Sequence, residues 1–384
     1  VPGPLAQSAL DKHGLEFIGL QVAFRHGARN LLSDLQCWAG MEKNFESCST
    51  SYDFGLTWSS AMGLRQPPPL RRQYHDLFPS SGAVLQDLVS GGGTCGLDQL
   101  LPEATSQFKA MAQGLHEHYL PRLQVLPKRS TTWMYATETA RASGSLYFLQ
   151  QFLFESEGDA MLQTLNTRPE KTDPWTLNAC PASKAKLAAV DDSRADTLPE
   201  LQDFARRWKQ GTGTDFLAGY KDCLILAHCA AEEMLKLPAS LQQNGSALFF
   251  EAIAASGKLY KAGYENELEA ATELATPILV ELQRFASRQA KGEAPALGLW
   301  GAHDTSLTAL LMALGAWDGI WPPYSEALVL ELYSSKATST EGSAVAPHGE
   351  THLRLLRRGK AISLKHCANQ TADGLCPLSQ FLPA

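Results

Sequence analysis

Phe17-Ile18-Gly19-Leu20-Gln21-Val22-Ala23-Phe24-Arg25-His26-Gly27-Ala28-Arg29-Asn30 is the stretch on which the chain's reading turns. Its first eight residues are an apolar, alternating run that predicts a buried strand. Arg25, His26 and Arg29 then crowd the point where that strand ends. In open α/β sheets ligands bind outside the carboxyl ends of the strands, so these side chains stand where a catalytic loop is expected. A surface Arg/His cluster has the same composition, but packing alone rarely gathers such residues at the end of a buried strand.

Two distant junctions repeat the pattern. Thr131-Thr132-Trp133-Met134-Tyr135-Ala136-Thr137 predicts a second strand, running straight into Glu138-Thr139-Ala140-Arg141-Ala142-Ser143 and an amphipathic helix that continues to Phe154. Arg141 falls in the first turn of that helix, where the backbone favours an anion and a cation is electrostatically out of place. A phosphate ligand explains it; pairing with Glu138 is the blander account. Ala296-Leu297-Gly298-Leu299-Trp300-Gly301-Ala302, bounded by Pro295, predicts a central strand that ends in His303-Asp304-Thr305-Ser306 ahead of a helix over 307–314. Taken alone, Asp304 reads as a helix cap. Taken with the other junctions, it adds a carboxyl to a convergent site.

The predicted fold class is α/β, a central mixed, mainly parallel sheet flanked by helices, with a helical cap subdomain inserted. Residues 10–155 and 290–384 form the α/β catalytic core, 156–289 a mostly helical insertion without strand-helix alternation, and 31–56 a loop insertion near the site. Residues 57–78 read as helical on both sides of Pro67-Pro68-Pro69. Residues 90–96 read as a Gly-rich turn lacking the Gly-Lys-Ser/Thr of a phosphate-cradling loop. Residues 102–119 read as a helix whose His116-Glu117-His118 lies on a solvated surface. Strands are expected at 327–333 and 351–356, joined by a Ser/Thr/Ala-rich loop. His228 beside Cys229 invites a thiol-nucleophile reading, but a core histidine is the expectation.

Composition narrows the function. The 384 residues are 44% hydrophobic and 19% charged with a formal net charge of -7, ordinary for a globular protein and opposed to nucleic-acid binding, which needs an excess of Lys and Arg. No apolar run reaches the roughly 18 residues of a membrane span. Val1 in place of methionine suggests a removed leader or a trimmed sequence. Eight cysteines and the acceptor sequons Asn244-Gly245-Ser246 and Asn369-Gln370-Thr371 favour a secreted, glycosylated protein of an oxidising or lysosome-like compartment. Cys37 with Cys48 and Cys367 with Cys376 are the expected local disulfides, and Cys223 and Cys229 are not expected to pair with each other. No cluster has zinc spacing, so neither a metal nor another cofactor is implied.

The convergent groups suit phosphoryl transfer. Guanidiniums make charge-assisted, often bidentate bonds to phosphate, each worth about 1.5–3 kcal/mol. A neutral imidazole can attack phosphorus, and a protonated carboxyl can supply the proton for the departing alkoxide. At this point the chain resembles the histidine acid phosphatase family, the acid phosphatase/phytase branch of the histidine phosphatase superfamily. Arg25-His26-Gly27-Ala28-Arg29-Asn30 matches its Arg-His-Gly-x-Arg-x-Pro pattern, with Leu31 where the proline usually stands, and His303-Asp304 matches its distal His-Asp. Pro322-Pro323-Tyr324-Ser325-Glu326-Ala327 and the closing Cys376-Pro377-Leu378 continue the likeness, with Glu326 where serine is usual.

The resemblance implies His26 as the nucleophile of a phosphohistidine intermediate and Asp304 as proton donor. Arg25, Arg29, Arg141 and His303 would bind the phosphate. It implies a small-molecule phosphate ester as substrate and an acidic optimum, with the change at Leu31 altering loop stiffness rather than chemistry. Phytase or inositol polyphosphate phosphatase is the alternative within the family, though it calls for a more basic pocket, with Lys43 and the loop around it unsettled. A cofactor-dependent mutase fits the cysteines and sequons poorly. A catalytically silent phosphate-binding secreted protein is the alternative of another class. The leaving group and dimerisation are left open. The aromatics Trp38, Phe45, Tyr52, Phe54 and Trp58 suit an aryl or lipid ester, or ordinary packing.

Overall fold

The computed structural model describes residues 3–31, 36–41, 70–74, 84–85, 100–157, 163–169, 171–177, 180–229, 236–242, 246–335, 350–364 and 366–382. Its strands are β1 (Leu15–Arg25), β2 (Leu70–Tyr74), β3 (Val84–Leu85), β4 (Trp133–Ala136), β5 (Gln163–Thr167), β6 (Leu297–Ala302), β7 (Ala327–Ser335), β8 (Thr351–Arg357), β9 (Lys360–Ala361) and β10 (Leu375–Pro377). They form one sheet in the order β10-β8-β7-β1-β6-β4-β5-β2-β3, with β9 against β8. From β1 through β6, β4 and β5 to β2 the pairing is parallel, whereas β7, β8 and β10 on one side and β3 on the other pair antiparallel. The fold is therefore the expected α/β, mixed around a parallel centre.

The central strands are buried on both faces, and their side chains alternate between two cores as a period of two requires. Leu20, Val22 and Phe24 of β1, Leu297 and Leu299 of β6, and Met134 and Ala136 of β4 pack with the helices Pro102–His118 and Ala140–Leu153. Ala23, Trp300, Ala302 and Tyr135 point the other way, into the core shared with the helices Leu268–Ala290 and Asp304–Ala313. There Trp300 stacks on Trp175 at 5.6 Å, and the Phe285 ring meets it edge-on at 5.5 Å. The long helix presents Leu274, Ile278, Leu282 and Phe285 at helical spacing, so one stripe covers the sheet.

Several expectations need correction. β2 occupies a stretch that reads as helical, and β5 lies inside the span expected to be helical. Their parallel ladder, Leu70 to Gln163 through Tyr74 to Thr167, outweighs local propensity. Cys37 pairs with Cys223, not Cys48, with Cα atoms 6.4 Å apart. Long-range packing decides this: Ala39 N–H donates to Thr212 O at 2.9 Å and Trp38 Nε1 to Lys236 O at 2.9 Å, laying the loop against the helical region. Cys367–Cys376 forms as expected. His228 is exposed beside Phe249 and Phe250 rather than in a core.

Trp38 is buried and spent on packing. His116 and His118 are exposed, as expected. Most of the 31–56 loop with Lys43, Phe45, Cys48, Tyr52 and Phe54, together with Trp58, the Gly-rich turn, Cys95, Asn244 and residues 336–349, lies outside the described residues.

Candidate active site

Strand register brings the three junctions level. Arg25 is paired with Ala302 and Ala136 with Gly301. One residue beyond, His26 N–H donates to Ala302 O at 3.0 Å and Thr137 N–H to Gly301 O at 3.1 Å. Arg25, His26, Thr137 and His303 thus leave the sheet side by side.

The turn after β1 is held closely. Gly27 N–H donates to Ser145 Oγ at 2.8 Å and Ala28 N–H to Gln107 Oε1 at 2.9 Å. A Cβ on Gly27 would come within 2.5 Å of the Ala104 Cβ, so the approach of the Pro102–His118 helix demands glycine there. Leu31, where the family usually has proline, donates its N–H to Asn30 Oδ1 at 2.7 Å, a bond that proline lacks.

Hydrogen bonding fixes both imidazole tautomers. His26 Nδ1 lies 2.9 Å from Gly27 O, an acceptor only, so Nδ1 carries the proton and Nε2 keeps its lone pair. His303 Nδ1 accepts from Arg141 Nη2 at 3.2 Å, which leaves its Nε2–H to donate to Thr137 Oγ1 at 2.9 Å. The rings meet edge to face at 5.7 Å. Burial, then the charges of Arg25, Arg141 and Arg29, push the His26 pKa well below its ordinary value. Burial, then chiefly Arg141, does the same to His303. Both surroundings favour the neutral imidazole.

The carboxyl arrives with a counter-charge. Asp304 Oδ2 is 2.7 Å from Arg25 Nη2 and accepts the Trp321 indole N–H at 3.0 Å, while Oδ1 accepts the Thr305 N–H at 2.8 Å. Burial alone would raise the Asp304 pKa; Arg25, Lys221, Arg29 and the Trp321 bond outweigh it and hold the pKa well below the usual carboxylate range. Arg25 is wholly buried, donates Nη1 to Pro322 O at 2.7 Å, and lies over the Tyr324 ring at 4.3 Å. Arg29 pairs with Asp222 at 3.2 Å.

All six expected residues are therefore together. A pocket of about 280 Å³ is lined by His26, Arg29, Arg141, His303 and Asp304, with Arg25 buried behind Asp304. Lys221, Asp222 and Asp191, which also line it, and the buried Trp321 and Tyr324 behind it were missed by the sequence reading. Lys221 Nζ bonds Asp191 Oδ1 at 3.1 Å and lies over the Tyr260 and Trp321 rings at 4.4 and 4.6 Å. Lys221 and Asp222 open an apolar helix, which locally reads as ordinary end polarity; Tyr324 carried only a family likeness, and Trp321, just before the Pro322-Pro323 pair, carried no signal. Chemically, the arrangement can hold a tetrahedral anion among guanidiniums and present to it a neutral nitrogen lone pair and a carboxyl.

Comparison with known proteins agrees. The family model for the histidine phosphatase superfamily (branch 2) matches residues 16–356. The lysophosphatidic acid phosphatases type 6 of Bos taurus and Homo sapiens are each 26% identical over 98% of this chain, and over 84% and 85% of their own lengths. The solved Hafnia alvei phytase in complex with myo-inositol hexakis sulphate superposes with a TM-score of 0.60 at 14% identity, covering 96% of both chains, a likeness of fold. Family model, acid phosphatase relatives and fold agree, and the chain belongs to the histidine phosphatase superfamily, branch 2, as a phosphoric monoester hydrolase of the acid phosphatase type.

Proposed function

We propose that this chain hydrolyses phosphate monoesters through a phosphohistidine on His26, with Asp304 as proton donor and Arg25, Arg29, Arg141 and His303 as phosphate ligands. The observation that carries the reading is the His26 imidazole, neutral and with Nδ1 committed to Gly27 O, which keeps Nε2 as a nucleophile in a pocket that also holds Arg29, Arg141 and Asp304. Nε2 attacks phosphorus as the bond to the ester oxygen breaks, and Asp304 delivers a proton to that oxygen, releasing the alcohol. Water then attacks phosphorus as the phosphorus–nitrogen bond breaks, Asp304 takes the water's proton, and inorganic phosphate departs from neutral His26. At rest Asp304 is ionised by Arg25. A substrate that binds as the monoanion, or a dianion that draws the arginine charges to itself, restores the proton it needs.

The leaving-group side of the pocket is walled by Leu177, Leu187, Ala188 and Tyr264, with Lys184 among them. These residues come from the 156–289 span, which supports its reading as a cap over the 10–155 and 290–384 core. Asp191 and Asp222 also face this space and would repel a second phosphate, so a monoester with an apolar leaving group is favoured over phytate. The relatives' names make lysophosphatidate the first substrate to test. The two disulfides among the described residues and the exposed Asn369 sequon support a secretory or lysosome-like compartment. Hydrolysis of lysophosphatidate, a phosphosugar, phosphotyrosine and phytate by wild type and His26→Ala tests the proposal. It expects lysophosphatidate above phytate and loss of all turnover in the variant; full turnover by His26→Ala contradicts it.

A further inference from the structure

Asp304 and Arg25 are both gripped by one segment, residues 318–326. Trp321 Nε1 donates to Asp304, Pro322 O accepts from Arg25, and Tyr324 lies under the Arg25 guanidinium. Ser325, in the left-handed region at φ 58°, donates its N–H to His26 O at 3.1 Å. Packing holds part of this segment: Trp321 is buried against the Tyr260 ring, centroids 4.2 Å apart, and Tyr324 is buried beside His26. A cavity of about 430 Å³ lies against Pro323, Tyr324, Ser325 and Glu326, with Met111 and Val329 among its other walls.

The two ends of the segment are strapped, in addition, by one side chain at the end of β8. Arg357 donates Nη1 to Asp318 Oδ1 at 2.7 Å, Nη2 to Ile320 O at 2.8 Å, and Nε to Glu326 Oε1. Its three donors thus close the two ends of the segment onto one guanidinium, whose planar fork is suited to such fixed, multiple acceptors. Arg358 adds a bond from Nη2 to Glu326 Oε2 at 2.9 Å. Arg357 and Glu326 are buried, and Glu326 is the residue that stands where the family usually has serine. We infer that Arg357 is a positioning residue for the proton-transfer step, clamping the 318–326 segment so that Trp321 and Pro322 hold Asp304 and Arg25 in register.

The charged and titratable groups around Asp304 are Arg25 from β1, Arg29 from the following turn, His303 beside it, Lys221 and Asp222 from the helix Lys221–Cys229, Tyr264 from the helix Ala247–Asn266, Tyr324 from the segment itself, and the Trp321 donor. Those around Arg357 are Glu326, Asp318 and Arg358, which pairs with both acids. Releasing the clamp leaves Arg29, Lys221 and Asp222 in place and loosens the Arg25 and Trp321 contacts. The proton donor then sits less well, and the carboxylate loses part of what keeps it ionised.

The inference rests on Asp304 as proton donor, so the test reads that role separately. Arg357→Gln is compared with wild type on an alkyl phosphate, which needs a proton on its leaving group, and on p-nitrophenyl phosphate, which needs it far less. The expected result is a fall of about tenfold in kcat for the alkyl ester with KM within about twofold, a smaller fall for the aryl ester, and an alkaline limb of the kcat profile moved to higher pH. Trp321→Phe should give the same signature, and adding Arg357→Gln to it should cost less than about threefold more, because the two act through one contact. Arg357→Lys should recover part of the loss. Should Arg357→Gln fail to fold, Asp318→Asn, on the half-exposed rim, opens one end of the clamp and carries the same expectations. Wild-type kcat and pH profile in a folded variant overturns the inference, as do equal losses on both esters or independent, multiplying effects with Trp321→Phe. Asp304→Asn separates the premise: if it spares the alkyl ester, the proton-donor reading fails on its own account.

Discussion

Asp304 and Arg25 form an ion pair of 2.7 Å across the neighbouring ends of β6 and β1, so this carboxyl is ionised at rest. As the proposed proton donor, Asp304 would therefore gain its proton from the substrate's arrival. Phosphate esters lose their second proton near pH 6. As pH rises through that value the substrate stops bringing a proton, and kcat/KM falls. The acidic limit is deferred, because the depressed His26 pKa keeps the proposed nucleophile neutral well below its ordinary value. Rate profiles for two esters of different second phosphate pKa check this. The alkaline limb should follow the substrate, moving to lower pH with the more acidic ester.

Asp304→Asn should cost about 10²–10⁴ in kcat for an alkyl phosphate and much less for a nitrophenyl ester. Removing one partner of a buried pair also leaves Arg25 uncompensated, a penalty of about 3–5 kcal/mol where nothing replaces it. The isosteric amide keeps a polar partner there, so the stability loss should fall below that range. Thermal unfolding and leaving-group dependence read the two effects separately.

Stability should fall as the solution is acidified from neutral pH. An unfolded imidazole takes up its proton near pH 6.5, whereas burial first and the arginines second keep folded His26 and His303 neutral. Below that pH the unfolded chain binds protons that the folded chain refuses, and the balance moves toward unfolding. The depressed Asp304 pKa adds a further loss only below about pH 4. Unfolding temperature against pH in phosphate-free buffer checks this, and His303→Asn should flatten the slope between pH 7 and 5.

Asp222→Asn should tighten product binding. Asp222 pairs with Arg29 at 3.2 Å and shares its charge with the phosphate that Arg29 would hold. Without it, inhibition by inorganic phosphate should strengthen about tenfold, within the range of one charge-assisted hydrogen bond.

The Cys37–Cys223 bridge joins the loop beyond the Arg29 turn to the helix that carries Asp222, across 186 residues of sequence. Replacing both cysteines by serine should lower stability by roughly 2–5 kcal/mol. It should also raise KM, because the Asp222 helix is then less firmly set against Arg29. Calorimetry and steady-state kinetics on the folded variant check both.

The parts of the site that lay on strand ends could be read from sequence, because an apolar run that stops at charged residues marks the carboxyl end of a buried strand. That logic found Arg25, His26, Arg29, Arg141, His303 and Asp304. It could not find Lys221 and Asp222, whose place beside Arg29 depends on how a distant helix docks. Nor could it find Trp321, whose indole meets Asp304 only after the 318–326 segment has folded back. β2 and β5 were misread because their strand character comes from pairing with each other and not from their own alternation. Cys37 was assigned to Cys48 by proximity in sequence, while the packing of Trp38 and Ala39 carries it to Cys223.

The most direct test of the central claim is to mix the protein with a phosphate-labelled monoester, quench rapidly in alkali and map the label. Phosphohistidine on the peptide containing His26, formed and lost at rates that match turnover, is the predicted result. Turnover with the label on no residue, or on a residue other than His26, would contradict the account.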